Sequence, residues 1–273
     1  MSWHKGSLYW ADDGELFVSV PFTWELPKVR KVIGFYERVH VGGPAVDLMP
    51  HYFYDCDNVE SGGTIYPTVL QRMNPLATRT TTGCPNHCQF CGIGRGLIEP
   101  GGLIELEDWP DLPIIADNNP LSASVAHTDK VFDRLEQWPW SDWEQGIDCM
   151  TLNEYHAERL ARLPNTMIRL ALDNPKKIEH WGRAFELLRT AGIPKKSLRS
   201  YALVGFDSDP SEAWDRCKWI ESHGIKALPM WFTELDALER NKVTDKQKAL
   251  GWNDYERRRI MGWFYKHRET ARK

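Results

Sequence analysis

Three cysteines stand close together in the run Thr82-Gly83-Cys84-Pro85-Asn86-His87-Cys88-Gln89-Phe90-Cys91-Gly92, spaced C-x3-C-x2-C. Three thiolates on one tight loop can grip three irons of a [4Fe–4S] cluster and leave the fourth iron open to a small molecule. A cluster so held can pass that molecule one electron. Zinc is the competing metal. A structural zinc site takes four N or S ligands, most often from paired C-x2-C units. His87 lies inside the triplet and is the one nearby residue that would complete a zinc shell. Cys56, Cys149 and Cys217 stand singly, with no second pair, and read as small core residues. A disulfide framework does not suit a chain of this size that opens without a secretion signal.

The elements that would position this loop follow from periodicity. The 273 residues are 42% hydrophobic and 26% charged, an ordinary globular composition. No apolar stretch of about 18 residues marks a membrane span, and a reducing cytoplasm is expected. Residues 16–20 read as a buried strand, 26–36 as a helix beginning near Pro27, and 38–44 as a strand ending in the turn Gly42-Gly43. Residues 47–76, rich in Pro, Gly, Asp and Asn, read as a connecting segment. Strands are then expected at 76–82, 113–117, 146–151, 167–172, 198–204 and 225–231. Helices are expected at 123–137, 154–163, 177–190, 211–223 and 254–267. This alternation argues for parallel βαβ units. The expected organisation is an N-terminal α/β extension with its connector (1–75), an α/β domain (76–240) and a helical end (241–273).

If those units close toward a barrel, the residues at the C-terminal strand ends face the site. Asp117, Asn118 and Asn119 close the second strand and serve equally as ligands or as turn and helix-cap residues. Asn153 follows the third strand. Arg169 lies on the fourth and Asp173 after it. An inward Arg needs an anion, either a bound carboxylate or an ion pair with Asp148 or Asp173. Gly205 ends the fifth strand and either admits a ligand to the backbone or makes an ordinary turn. Trp231 and Glu234 close the sixth, where they would face a substrate.

The net charge of −4 does not suggest a duplex-binding surface. Local basic runs occur at Lys28–Lys31, at Lys195, Lys196 and Arg199, and along the tail from Arg257 to Lys273. They read as solvated faces, or in the tail as phosphate contacts. The 13 Trp residues suit core and rim packing, with some free to line a pocket for a flat substrate.

The cysteine run and the six βα units resemble the radical S-adenosylmethionine (SAM) superfamily. The resemblance covers about residues 38–235. It implies a partial (β/α)6 TIM-like barrel with a short N-terminal α/β extension. It implies a [4Fe–4S] cluster on Cys84, Cys88 and Cys91, with SAM chelated by the open iron and cleaved to a 5′-deoxyadenosyl radical that takes hydrogen from substrate. Phe90, before the third cysteine, would lie near the adenine. Asp117, Asn118 or Asn119 would accept from the SAM ammonium, Arg169 would hold its carboxylate, and Asn153, Asp173 and Gly205 would complete the cofactor site. Residues 12–46 resemble a shortened remnant of the domain preceding the barrel in cobalamin-binding members. The D-x-H-x-x-G motif is absent, so no cobalamin is expected. No second cluster is expected either. Compact radical SAM proteins of this style are common in phage genomes, and some modify nucleobases. The implied reaction is isomerisation or modification of an amino-acid-modified nucleobase, DNA being one source of it. The alternatives are a small metabolite or peptide substrate or, outside catalysis, a zinc-stapled binding module. An external one-electron donor of flavodoxin or ferredoxin type is implied, and no membrane.

Overall fold

The computed structural model describes residues 3–62, 69–99 and 101–266. The chain divides into two compact units. The first comprises Met1–Ala77, Asn86–Gly102 and Thr233–Arg240, and the second Thr78–Pro85, Leu103–Phe232 and Asn241–Lys273.

In the first unit β1 (Leu8–Asp12) and β2 (Glu15–Ser19) form an antiparallel hairpin. Its turn is Asp13-Gly14, with φ of 48° and 83°, the pairing that a two-residue hairpin turn of this hand requires. Next come α1 (Leu26–Ile33), β3 (Val39–Gly42), α2 (Pro44–Leu48), β4 (Val59–Ser61) and α3 (Val69–Met73). The sheet runs β1-β2-β3-β4, with β2, β3 and β4 parallel. One face buries Leu16, Val18, Val39 and Val41 together with Leu26, Val29 and Ile33 of α1. Strands β1 and β4 were not expected. The first lies upstream of the expected unit, and the second lies in the segment read as a connector. Gly43, at φ 100°, must be glycine because a Cβ there would stand 2.9 Å from the backbone N and O of Val20. The Gly42-Gly43 turn is therefore packed by the chain itself.

The second unit is built on a six-stranded sheet in the order β12-β11-β10-β9-β8-β5. Its strands are β5 (Ala77–Thr78), β8 (Ile114–Ile115), β9 (Ser141–Asp148), β10 (Thr166–Ala171), β11 (Leu198–Val204) and β12 (Lys226–Trp231). A separate two-stranded ladder pairs β6 (Thr81–Cys84) with β7 (Gly102–Glu105). The expected first strand is thus broken into β5 and β6. Pairs from β8 to β12 are parallel and follow chain order. The helices between and after them pack into the core on one face of this sheet. These are α4 (Val125–Leu135), α5 (Glu154–Arg162), α6 (Ile178–Thr190) and α7 (Pro210–Ser222), followed by α8 (Asp245–Ala249) and α9 (Asp254–Lys266). Side chains capping N-termini fix where these helices start: Ser124, Asn153, Asp209 and the Thr244–Gln247 capping box.

The helical face carries the core. Ile168, Leu170, Leu198, Ala202, Val204 and Ala227 pack against Leu160, Trp181, Phe185, Cys217 and Ile220. Residues of opposite parity, among them Arg169, Tyr201, Leu203 and Met230, line the other face. β9 begins five residues before its expected start. It carries a register irregularity opposite Ile168–Leu170 and a left-handed Gly146, so period-two alternation fails along it. The expected basic tail beyond Lys266 lies outside the described residues. No helix among those residues is long and apolar enough to cross a membrane.

Candidate functional site

The cysteine loop begins where β6 ends. Gly83 adopts φ 72° just before Cys84, and the loop then coils through short turns. Cys91 N–H donates to Cys88 O (3.1 Å), Arg95 N–H to Cys91 O (3.0 Å), and Leu97 N–H to Gly92 O (2.8 Å). Two glycines keep this coil close, Gly94 against backbone and Gly92 against the Ile98 side chain. A Cβ on Gly94 would stand 2.7 Å from Cys88 N and 3.0 Å from Cys88 O, and one on Gly92 would stand 2.6 Å from Ile98 Cδ1. The signal for them was the Gly-x-Gly that follows Cys91. The three cysteines are half-buried and not joined in disulfides. Among the described residues no three ligand-type side chains converge into a metal-holding group.

Two of the remaining cysteines are buried. Burial pushes the thiols of Cys149 and Cys217 up to about 12, which keeps them protonated and unsuited to ligation. The sulfur of Cys56 lies 3.8 Å from Asp55 Oδ1. His87 is exposed and Phe90 half-buried on the same loop.

At the end of β8 the three consecutive polar residues separate into different roles. Asp117 is 1% exposed. It accepts from Thr80 N–H (2.7 Å), Thr81 N–H (2.8 Å) and Thr80 Oγ1–H (2.7 Å). Burial pushes its carboxyl up, and the bonds from Thr81 and Thr80 oppose that. Asn118 donates from Nδ2 to Gly83 O (3.2 Å). Asn119 is 2% exposed, and neither atom of its amide has a hydrogen-bond partner among the described residues. An unmet buried amide is costly, and here it stands beside two residues fully engaged with the root of the cysteine loop.

Further along the sheet, Asn153 Oδ1 accepts from His156 N–H (3.0 Å) and caps α5. Arg169 lies on the helix-free face. Its guanidinium pairs with Asp142 and with Glu144 (2.8 Å), so the ion pair weighed as its alternative exists with acids of β9 and not with Asp148 or Asp173. Asp173 lies beside Lys177, Arg216 and Asp148, and burial pushes its carboxyl up to about 6. Lys177 Nζ, unremarked in the sequence, sits 3.4 Å from Asp148 Oδ1 at the neighbouring strand end. Gly205, at φ 83°, leaves room for the chain's own Trp231, whose ring atom Cζ3 would lie 2.6 Å from a Cβ. Trp231 in turn packs at right angles to Trp252, with ring centroids 5.0 Å apart. Glu234 falls in the last segment of the first unit.

No protein-family model and no curated protein matches this chain. Its fold is similar to that of the radical S-adenosylmethionine methyltransferase TsrM from Kitasatospora setae with cobalamin and a [4Fe–4S] cluster bound. The TM-score is 0.60 at 13% identity, over 83% of this chain and 66% of that one. The same enzyme with tryptophan substrate and the SAM analogue aza-SAM bound gives 0.55 at 13% identity, over 77% and 61%. The chain thus spans less than two thirds of that protein's length, and at this identity the likeness is one of fold.

Proposed function

We propose that this chain is a radical SAM enzyme in which Cys84, Cys88 and Cys91 hold a [4Fe–4S] cluster and the six-stranded sheet forms a partial (β/α)6 barrel. One observation carries the reading. A three-thiol loop follows β5 and the short β6, ahead of the parallel strands β8 to β12 that run in chain order, and a barrel of this kind carries its site beyond the C-terminal ends of its strands. The similarity of fold to a protein solved with a cluster and a SAM analogue supports it. When bound and reduced, the cluster supplies one electron to cleave SAM and so to start hydrogen abstraction from substrate. Phe90 offers a ring for the adenine. The unpartnered amide of Asn119 accepts from the SAM ammonium through Oδ1. Arg169 serves the charge balance of the sheet, because Asp142 and Glu144 already occupy it.

Cobalamin is not part of this reading. The turn after β3 is filled by Val20, and α2 has five residues, too short to present an N-terminus to a phosphate. The tryptophan of the similar enzyme favours a small amphipathic substrate, and an amino-acid-modified nucleobase belongs to that class. The electron comes from an external carrier of flavodoxin or ferredoxin type.

Anaerobic reconstitution with iron and sulfide tests the reading. The protein should turn brown and, with dithionite, convert SAM to 5′-deoxyadenosine, and Cys88→Ala should abolish this. Colourless protein carrying one zinc would instead establish a metal-stapled binding module.

A further inference from the structure

We propose that Asp117 is a positioning residue that fastens the root of the cysteine loop, and that it contacts neither SAM nor substrate. The proposal rests on the reading that the loop holds a cluster.

The need for a fastener arises from the break in the first strand. β5 ends at Thr78 and β6 starts at Thr81, so amides at the break, those of Thr80 and Thr81 among them, stand outside the main ladder, and each buried N–H must find an acceptor. Asp117 supplies it. One carboxylate oxygen takes the N–H groups of Thr80 and Thr81, and the other takes the Thr80 hydroxyl. His127 Nε2 stands 3.2 Å from the same hydroxyl oxygen. His127 Nδ1 faces Glu105 Oε2 at 3.9 Å. The neighbouring Asn118 grips Gly83 O, one residue before Cys84. Leu106 N–H holds Thr80 O (2.9 Å) and Ala116 N–H holds Thr78 O (2.9 Å). Together the bonds from Asp117, Asn118, Leu106 and Ala116 hold Thr78, Thr80, Thr81 and Gly83, on the approach to the first thiol. A carboxylate whose oxygens already take three donors from the chain is committed to the chain.

Groups that orient metal ligands typically matter about 10–100-fold in metal retention when replaced. With reconstituted protein, Asp117→Asn should therefore lose iron to a chelator at least about tenfold faster than wild type. It should also shift the electron paramagnetic resonance spectrum of the reduced cluster, a change that a general loss of stability would not produce. SAM affinity of the loaded variant, read by equilibrium dialysis, should stay within about twofold of wild type, since no contact to SAM is removed. Thr80→Val, which keeps the two backbone bonds and removes the hydroxyl, should give a smaller change of the same kind and serves if Asp117→Asn does not fold. Wild-type stripping rate and spectrum in both variants would overturn the positioning role. So would a tenfold loss of SAM affinity with unchanged cluster retention. Failure of wild-type protein to take up a cluster would be a different result, removing the functional reading itself.

Discussion

Replacing Gly205 with alanine separates two explanations of that glycine. In one, its bare backbone lets a nucleotide approach, and in the other it makes room for Trp231. The geometry favours the second. An alanine Cβ would lie 2.6 Å from Cζ3, 2.9 Å from Cη2 and 3.0 Å from Cε3 of the indole, at φ 83°. The ring cannot swing away, because it abuts Trp252, which is 1% exposed and tied by Nε1 to Ser208 O. Nor can the backbone retreat, because Gly205 O accepts from the buried Gln247 Nε2 at 2.8 Å. Left-handed strain for a residue with a Cβ costs about 1–2 kcal/mol, and overpacking about 1–3 kcal/mol. The sum is near 3 kcal/mol, which at a urea slope of about 3 kcal/mol/M lowers the midpoint by roughly 1 M. Urea unfolding followed by near-ultraviolet circular dichroism of the tryptophans would measure it. Trp231→Leu should recover about half of the loss in the double variant, since the pair is in contact. A midpoint shift below about 0.2 M, or no coupling to Trp231, would refute the packing argument.

Two further outcomes follow from the same geometry. The Asp173 carboxyl sits at about 6 in the folded chain against an ordinary 3.8. A raised folded-state value gives stability that is full below the unfolded value and is lost as pH rises through the folded one. Wild type should therefore lose up to about 3 kcal/mol relative to Asp173→Asn between pH 4 and 6, and urea midpoints of the two proteins at pH 4.5 and 7 check it. Gly94→Ala brings a Cβ to 2.7 Å from Cys88 N and should lower reconstituted iron content severely. Gly96→Ala on the same loop meets nothing within 4 Å at φ 67°, so it should cost about 1 kcal/mol of strain and keep its iron, as an iron assay of both variants would show.

Strands β10, β11 and β12 and helices α5, α6 and α7 were legible because each carries a clean period against one face of the core. β9 was legible only in its second half. Asp142 and Glu144 look like loop residues until Arg169 of the adjacent strand meets them, and that pairing spans a whole βα unit. β1 was missed although Asp13-Gly14 announces a hairpin, and β4 was missed because three residues give no period to count. The break between β5 and β6 had no local signal, since the residue that stabilises it, Asp117, lies 36 residues or more away.

By itself the sequence determined which reactive groups stand together: three thiols at C-x3-C-x2-C spacing, delivered after a strand, in a chain of alternating βα units. That much is local, because spacing and periodicity act between residues near in the chain. Only the tertiary structure decided which polar strand-end residues are spent. Asp117, Asn118 and Asn119 are chemically alike in sequence, yet one clamps two threonines, one grips Gly83, and one is buried with its amide unmet. Gly205 was assigned in the same way, by an indole 26 residues distant. The reason is that hydrogen-bond acceptors and packing space are claimed by whichever group folding brings nearest, and nearness in the fold is not written in nearness along the chain.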